Sequence, residues 1–166
     1  MGKNNEKTQN YSIYDNGNYA LNSQWDLIYG GSYFFSDYYD GLKNKHIYND
    51  NFSLRTGLIY KPKENMSFKA LYSQAYRIPT YFEKEVSSAT VLGNADLSPE
   101  ESESYDLILV HQLTNFNYTL DFFYTLINDK ISRVDIGSGL FQNQNTGSVH
   151  YYGVELNTKI IFLIKN

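Results

Sequence analysis

The sequence predicts an all-β fold: an antiparallel transmembrane β-barrel, or a fragment of one, built from about seven long strands. Three observations predict it. Apolar and polar residues alternate with a period of two, which places them on opposite faces of a strand. Aromatic residues, which favour strands, make up 17% of the 166 residues. Tight turns and long connections alternate along the chain, as they do in outer-membrane barrels.

The predicted strands are longer than those of ordinary soluble sheets. Most span 10 to 14 residues, whereas soluble strands have a mode of about five to six. A strand that crosses a bilayer needs about 9–11 residues within the lipid. The predicted segments cover residues 9–21, 24–37, 51–61, 65–75, 102–113, 116–127 and 148–162.

The third, fourth and sixth segments alternate most clearly, and their two faces are predicted to meet lipid and the barrel interior. The apolar members are Phe52, Leu54, Leu58, Phe68, Tyr72, Leu120, Phe122 and Tyr124, and the polar members include Arg55, Lys69, Asn117 and Asp121. Aromatic residues cluster towards strand ends, which is typical of the interfacial girdles of membrane barrels; they are Tyr60, Tyr72, Phe116, Tyr118 and Tyr124. A water-soluble antiparallel sheet with one buried face would show the same alternation.

The connections differ in length from one end of the predicted sheet to the other. Short turns are expected at 22–24, 62–64 and 114–115. Long loops are expected at 38–50, 76–101 and 128–147, all at the opposite end. Loops of more than about 12–15 residues are uncommon in compact domains and are usually functional. The segments 9–21 and 148–162 are expected to form the two edges of an open sheet, without pairing with each other.

Composition excludes several functional classes. The chain has no cysteine, so it offers no disulfide, thiolate metal site or cysteine nucleophile. Its net charge is −4 and it lacks a basic cluster, which argues against nucleic acid as a partner. Its three histidines are scattered, and no phosphate-binding or nucleophile motif is present. We therefore predict neither an enzyme nor a resident cofactor or metal. The first ten residues lack the apolar core of a signal peptide.

One motif lies where the fourth segment ends. It reads Tyr76-Arg77-Ile78-Pro79 and is followed by Tyr81 and Phe82. Pro79 cannot donate to a strand ladder, so the simplest interpretation is a strand terminator. The functional interpretation is that Tyr76, Arg77, Tyr81 and Phe82 line a ligand vestibule. An arginine can hold a carboxylate in bidentate fashion, and the aromatic rings supply stacking surface.

A second motif leads back into the sheet. It begins at Gly93 and runs through Asn94, Ala95, Asp96, Leu97, Ser98 and Pro99 to Glu100. Asn and Asp bond their own backbone, which predicts a corner between loop and strand. Further on, Gly153 and Glu155 lie on the polar face of the last segment. A glycine within a strand often marks a place where another element approaches closely.

Together these motifs resemble the barrel of TonB-dependent outer-membrane receptors. Those proteins often carry a Phe-Arg-Ala-Pro-like element and then Gly-Asn-Pro-Asp-Leu-x-Pro-Glu-x-Ser across one long extracellular loop; Ala95 replaces the usual proline. Phe123-Tyr124 with Asp129 and Ile131 resembles the family's later strand end. Asn145-x-Gly147 followed by Gly153-Val154-Glu155 resembles its next strand. The resemblance covers about residues 51–160 with four ordered elements.

The resemblance implies a transporter. The whole of residues 1–166 would be part of a receptor barrel of about 22 strands, with the plug domain and the remaining strands lying outside it. The parent protein would bind a scarce ligand, such as a ferric siderophore or cobalamin, on its extracellular loops. It would sit in outer-membrane lipid and receive energy from the inner-membrane TonB complex through the plug. Gly153 and Glu155 would face that plug. Haem receptors of the family commonly carry a histidine between the two loop elements, and none lies between Pro79 and Asn94.

A different class of protein is the main alternative. A small, complete eight-stranded barrel, either an outer-membrane structural protein or a lipocalin-like binder, suits the length of the chain. The count of seven segments and the predicted 26-residue loop argue against it. A lipocalin would also place the apolar residues inside.

Overall fold

A computed structural model describes residues 7–40, 45–85 and 87–161. Its main element is a seven-stranded antiparallel sheet with the strand order β1-β2-β3-β4-β6-β7-β10. The seven strands are β1 (Lys7–Ala20), β2 (Trp25–Asp40), β3 (Lys45–Lys63), β4 (Met66–Arg77), β6 (Glu100–Gln112), β7 (Phe116–Asn128) and β10 (Val149–Ile160). The predicted fold class, strand count and chain order are confirmed. Within the described ranges β1 and β10 form the two edges and do not pair with each other, as expected.

The register of the sheet aligns the apolar side chains on one face. Leu58 pairs with Ala70, Ala70 with Leu107, and Leu107 with Phe122. Aromatic rows flank this aliphatic band. On one side Tyr72, Tyr105 and Tyr124 follow one another across three strands, with ring centroids 5.0 and 6.2 Å apart. On the other side Trp25 stacks on Tyr60 at 4.5 Å, and Phe68 follows at 6.4 Å.

The apolar face is uncovered. Six of its eight sequence-predicted members are more than a third exposed, from Leu58 at 38% to Phe52 at 60%. No second sheet packs on this face within the described residues. A water-soluble sheet would bury such a face, so the pattern favours contact with lipid. Phe52 and Tyr60 lie eight positions apart on β3, which corresponds to about 26 Å along a strand and about 20 Å across a tilted barrel wall.

The opposite face carries the polar residues. Lys61 bonds Asp26 across the β2–β3 pair. Ser104 and Thr125 share a hydrogen bond of 2.9 Å across β6 and β7. Apolar side chains on this face pack over small residues: a Cβ at position 153 would lie 2.7 Å from the Phe123 ring. Among the described residues, Phe123 is therefore the side chain that approaches Gly153 closely, and its ring would have to shift to admit a Cβ there.

Two predicted connections have the wrong bounds. Residues 38–40 and 45–50, expected in a long loop, extend β2 and β3, because side chains meet across the hairpin: the His46 ring lies 5.0 Å from the Tyr39 ring, and its Nδ1 lies 2.7 Å from the Asp37 carboxylate. The intervening residues 41–44 lie outside the described ranges. The turn expected at 62–64 lies at 64–65, since a register shift lets β3 continue past Pro62 to Lys63.

The other two long connections contain regular structure. Residues 78–99 hold a short helix, α1 (Tyr81–Lys84), and a two-residue strand, β5 (Val91–Leu92). The 128–147 segment, expected as a loop, forms a hairpin of β8 (Ile131–Gly137) and β9 (Leu140–Asn145). Positive φ angles at Gly137, Ser138 and Gly139 close its turn. Strand β5 pairs with β9 in parallel, which gives a second, three-stranded sheet. None of the described helices is long and apolar enough to cross a membrane.

We expect the two faces of the large sheet to differ in their tolerance of charge. Leu107→Lys lies in the middle of the apolar face and should cost about 2–4 kcal/mol in a bilayer. Thr119→Lys lies on the polar face and should cost about 1 kcal/mol or less. Unfolding by denaturant of the full-length protein, refolded into lipid vesicles, measures both costs. Equal costs would contradict the assignment of the faces.

Candidate ligand-binding site

The predicted loop motifs meet at the end of the sheet that carries the longer connections. Arg77, the last residue of β4, lies directly opposite Glu100, the first residue of β6. The Arg77 Nε donates to the Glu100 carboxylate at 2.7 Å. This pair joins the two ends of the 78–99 connection, so the loop starts and finishes at one ion pair.

Glu100 connects this loop to the neighbouring hairpin. Its other carboxylate oxygen accepts a 2.7 Å hydrogen bond from the backbone N–H of Ile131 and lies 3.5 Å from the Lys130 ammonium. The Glu100 side chain is only 8% exposed. The bond from Arg77, followed by those from Ile131 and Lys130, outweighs the effect of burial and lowers the Glu100 pKa from 4.5 to about 2. The carboxylate is therefore charged at any physiological pH.

Arg77 also fixes the short helix. Its Nη1 donates to both Glu83 oxygens, at 3.0 and 3.2 Å. Glu83 in turn accepts from the Thr80 backbone N–H at 2.7 Å, while the Thr80 hydroxyl accepts from the Glu83 N–H. This is a capping box. Partial burial pushes the Glu83 pKa upwards, but the bonds from Thr80 and Arg77 bring it below its ordinary value.

The helix presents two aromatic rings. Tyr81 is 40% exposed and Phe82 is 73% exposed. The Tyr81 ring lies 6.2 Å from that of Tyr38 on β2, and both Tyr38 and Arg77 occupy the polar face of the sheet. The helix is thus held against the polar face, with Phe82 directed away from the packing contacts.

The second sequence motif closes the loop onto the helix and the hairpin. A Cβ at position 93 would lie 2.6 Å from the Lys84 carbonyl oxygen, so only glycine fits where the chain passes the end of α1. The Asn94 N–H donates to the Glu83 carbonyl at 3.0 Å. The Asn94 side chain accepts from the Asp96 N–H and donates to the carbonyl of Asn143 on β9.

Asn145 completes the attachment. Its side chain accepts from the Ser98 N–H at 2.9 Å and donates to the carbonyls of Ser98 and Asp129 at 3.0 and 2.7 Å. Leu97 and Ile131 are 3% and 8% exposed, and Pro99 precedes the buried Glu100. The corner between loop and hairpin is therefore a small core with polar ties around it.

The structure separates some of the predicted site residues. Arg77, Tyr81 and Phe82 lie together, but Tyr76 lies on the opposite face of β4, the face that carries Tyr72. Gly153 and Glu155 lie on the polar face of the edge strand β10, far along the sheet from this corner.

The sequence motifs did not reveal Glu83 and Lys130 as corner residues, and they included Ile131 and Asn145 without placing them at the corner. The spacing Thr80-x-x-Glu83 is a capping-box signature and could have revealed the helix. The described residues contain no group of three or more His, Asp or Glu side chains arranged to hold a metal ion.

The sequence matches one family model over residues 2–163, that of the TonB dependent receptor-like β-barrel. The chain belongs to this family. Because the match covers nearly all of the chain, the earlier resemblance is confirmed and extended towards both ends. No curated protein matches the sequence.

Solved structures of three transport and receptor proteins share the fold. The FrpB iron transporter from Neisseria meningitidis is 17% identical with a TM-score of 0.71, and the match covers 95% of this chain and 24% of the FrpB chain. The copper transporter OprC is 16% identical with a TM-score of 0.78, over 95% and 26%. The pyoverdine outer membrane receptor FpvA from Pseudomonas aeruginosa is 14% identical with a TM-score of 0.73, over 93% and 23%.

This chain of a TonB-dependent receptor barrel therefore spans about a quarter of the length of these structures. Family membership locates it in the outer membrane. In outer-membrane barrels the short turns are periplasmic and the longer loops extracellular, so α1 and the β8–β9 hairpin lie at the extracellular end. The apolar face contacts lipid and the polar face lines the barrel interior.

The pKa of Glu100 predicts how the corner responds to acid. A folded pKa of about 2 against an ordinary value of 4.5 means that the charged bonds are fully present above about pH 4.5 and are lost as pH falls towards 2. Pepsin should therefore cleave the 78–99 loop of Glu100→Gln about tenfold faster than the parent loop at pH 5. The ratio should approach one near pH 2. A ratio independent of pH would show that the Glu100 charge does not hold the loop.

Proposed function

We propose that the protein carrying this chain is an active transporter for a scarce ligand, energised by TonB from the inner membrane. The observation that carries the proposal is the match to the receptor-barrel family across residues 2–163. The chain supplies barrel wall and two structured extracellular connections. The sequence contains no recognisable catalytic motif. These residues therefore suit binding and passage of a ligand rather than a reaction on it.

Among scarce ligands, a ferric siderophore is favoured over cobalamin. The solved relatives include an iron transporter, a copper transporter and a receptor bound to pyoverdine. The corner itself presents aromatic rings at Tyr81 and Phe82 rather than free acidic clusters, and such rings suit an organic chelate with flat aromatic or amide groups. The chelate would carry the metal, so the described residues need not provide a metal site.

The plug is the second proposed partner. On the polar face, the Oδ1 atoms of Asn117 and Asp121 are buried and have no hydrogen-bond partner within the described part of the chain. Glu155 lies directly opposite Asp121 in the β7–β10 pair. The chain itself covers these two atoms, whereas Glu155 is exposed on the same face, so a plug inside the barrel could reach its carboxylate. We therefore propose that Asn117, Asp121, Gly153 and Glu155 belong to the plug-facing wall.

Uptake by whole cells tests the transport proposal. Cells that express the full-length protein should accumulate at least one radiolabelled ferric siderophore from a panel, and the accumulation should disappear when TonB is deleted. Radiolabelled cobalamin serves as the parallel arm. TonB-dependent uptake of cobalamin alone would overturn the choice of ligand class. Uptake that persists without TonB would overturn the mechanism.

The aromatic pair tests the site. Phe82→Ala removes a highly exposed ring at the corner, and should weaken binding of the transported siderophore roughly three- to tenfold, since a ring contact contributes about 0.5–1.5 kcal/mol. Tyr48→Ala is a matched control, because Tyr48 is also an exposed extracellular aromatic but lies on the outward face of β3. Binding to intact cells, normalised to surface abundance, gives both values. If the two variants bind equally, the ligand does not contact Phe82.

A further inference from the structure

Glu100 is the point where three parts of the extracellular end meet. Its carboxylate accepts hydrogen bonds from Arg77 at the end of β4 and from the Ile131 N–H at the start of β8. It also forms an ion pair with Lys130 at 3.5 Å, and its backbone begins β6. The residue is 7% exposed. A buried carboxylate is retained only where its bonds compensate the loss of hydration, and here all of its described bonds run between segments.

Arg77 extends this connection to the aromatic rings. The same guanidinium that bonds Glu100 at 2.7 Å bonds Glu83 at 3.0 Å. Glu83 is part of the capping box of α1, and Tyr81 and Phe82 lie between the two residues of that box, Thr80 and Glu83. Four helical residues are far too few to hold a helix by themselves. The direction in which Phe82 points therefore depends on the bonds that anchor Glu83.

The loop and the hairpin also share other ties. Strand β5 pairs with β9, and Asn94 and Asn145 bridge the two segments. These contacts lie at the far end of the loop, after residue 90, whereas α1 precedes residue 85. The Asn94 N–H bond to the Glu83 carbonyl and the contact at Gly93 connect the two parts directly.

We propose that Glu100 is a positioning residue, which, through Arg77 and Glu83, holds the Tyr81–Phe82 pair in a fixed place relative to the β8–β9 hairpin. The two extracellular connections then present one rigid surface to the ligand instead of two independent loops. The expected effect on ligand binding rests on the proposed function. The mechanical link between the segments is inferred from the described bonds alone.

Distance measurements test the link without any ligand. The chain has no cysteine, so Phe82→Cys and Ile136→Cys add two unique sites for spin labels, on α1 and near the hairpin tip. In the full-length protein, with any cysteines elsewhere replaced, the distance distribution between the labels should be narrow. Glu100→Gln should broaden it at least twofold. Glu101→Gln is the matched control, since Glu101 is the next residue but is exposed on the outward face.

A second variant separates positioning from a general loss of structure at the corner. Glu83→Gln keeps the capping box, which accepts Gln at this position, and keeps both bonds of Glu100, but removes the charge that Arg77 contacts. It should broaden the distance distribution between positions 82 and 136 as much as Glu100→Gln does. The distribution between position 136 and a label on β3 should stay unchanged. The double variant should be no broader than either single variant, because both act through Arg77.

Uptake kinetics, measured with unlabelled single variants, give the consequence for function. Glu100→Gln and Glu83→Gln should each raise the KM for the siderophore about five- to tenfold and leave the maximal rate unchanged, whereas Glu101→Gln should change neither. If Glu100→Gln matches Glu101→Gln in the distance distribution, or if the double variant adds the two effects, the inference is overturned. If no siderophore is transported at all, the proposed function fails, while the distance measurements still decide the link.

Discussion

The register of the strands is the constraint on which the rest of this structure depends. Side chains alternate with a period of exactly two residues, so a slip of one residue in any pairing would turn a strand's leucines and tyrosines to the wrong face. All six pairings of the large sheet keep the apolar set together, from Tyr33 opposite Phe52 to Phe122 opposite Val154. Lipid on one side and water on the other select this register.

The extracellular corner is stabilised differently. The sheet buries little of its own surface, and the described residues with the lowest exposure include Leu97, Ile131 and Glu100, all at the corner. There the chain leaves the period-of-two pattern and relies on side-chain bonds to backbone groups, of which those of Asn94, Asn145 and Glu100 join separate segments. A wall held by its register thus carries a corner held by specific polar contacts.

The sequence was a good guide to the wall and a poorer one to the corner, for physical reasons. Alternation and turn residues are local signals, so the seven strands, their order along the chain and their faces could be predicted. The contacts of Arg77 with Glu83 and Glu100 could not, since they depend on how a 22-residue connection between β4 and β6 folds back. Contacts of His46 with Tyr39 and Asp37 across the two strands likewise extended both strands through a stretch whose Asn, Asp and Gly residues indicate a loop. Tyr76 and Arg77, neighbours in one motif, lie on opposite faces because strand geometry separates them.

The central claim is that one face of this sheet meets lipid and the other the barrel interior. A scan along β6 tests it most directly, with single cysteines at positions 104 to 109 of the full-length protein in vesicles, each labelled with a fluorophore and quenched by a lipid that carries nitroxide on its acyl chain. We expect strong quenching at 105, 107 and 109 and weak quenching at 104, 106 and 108. Quenching without this alternation, or with the opposite phase, would contradict it.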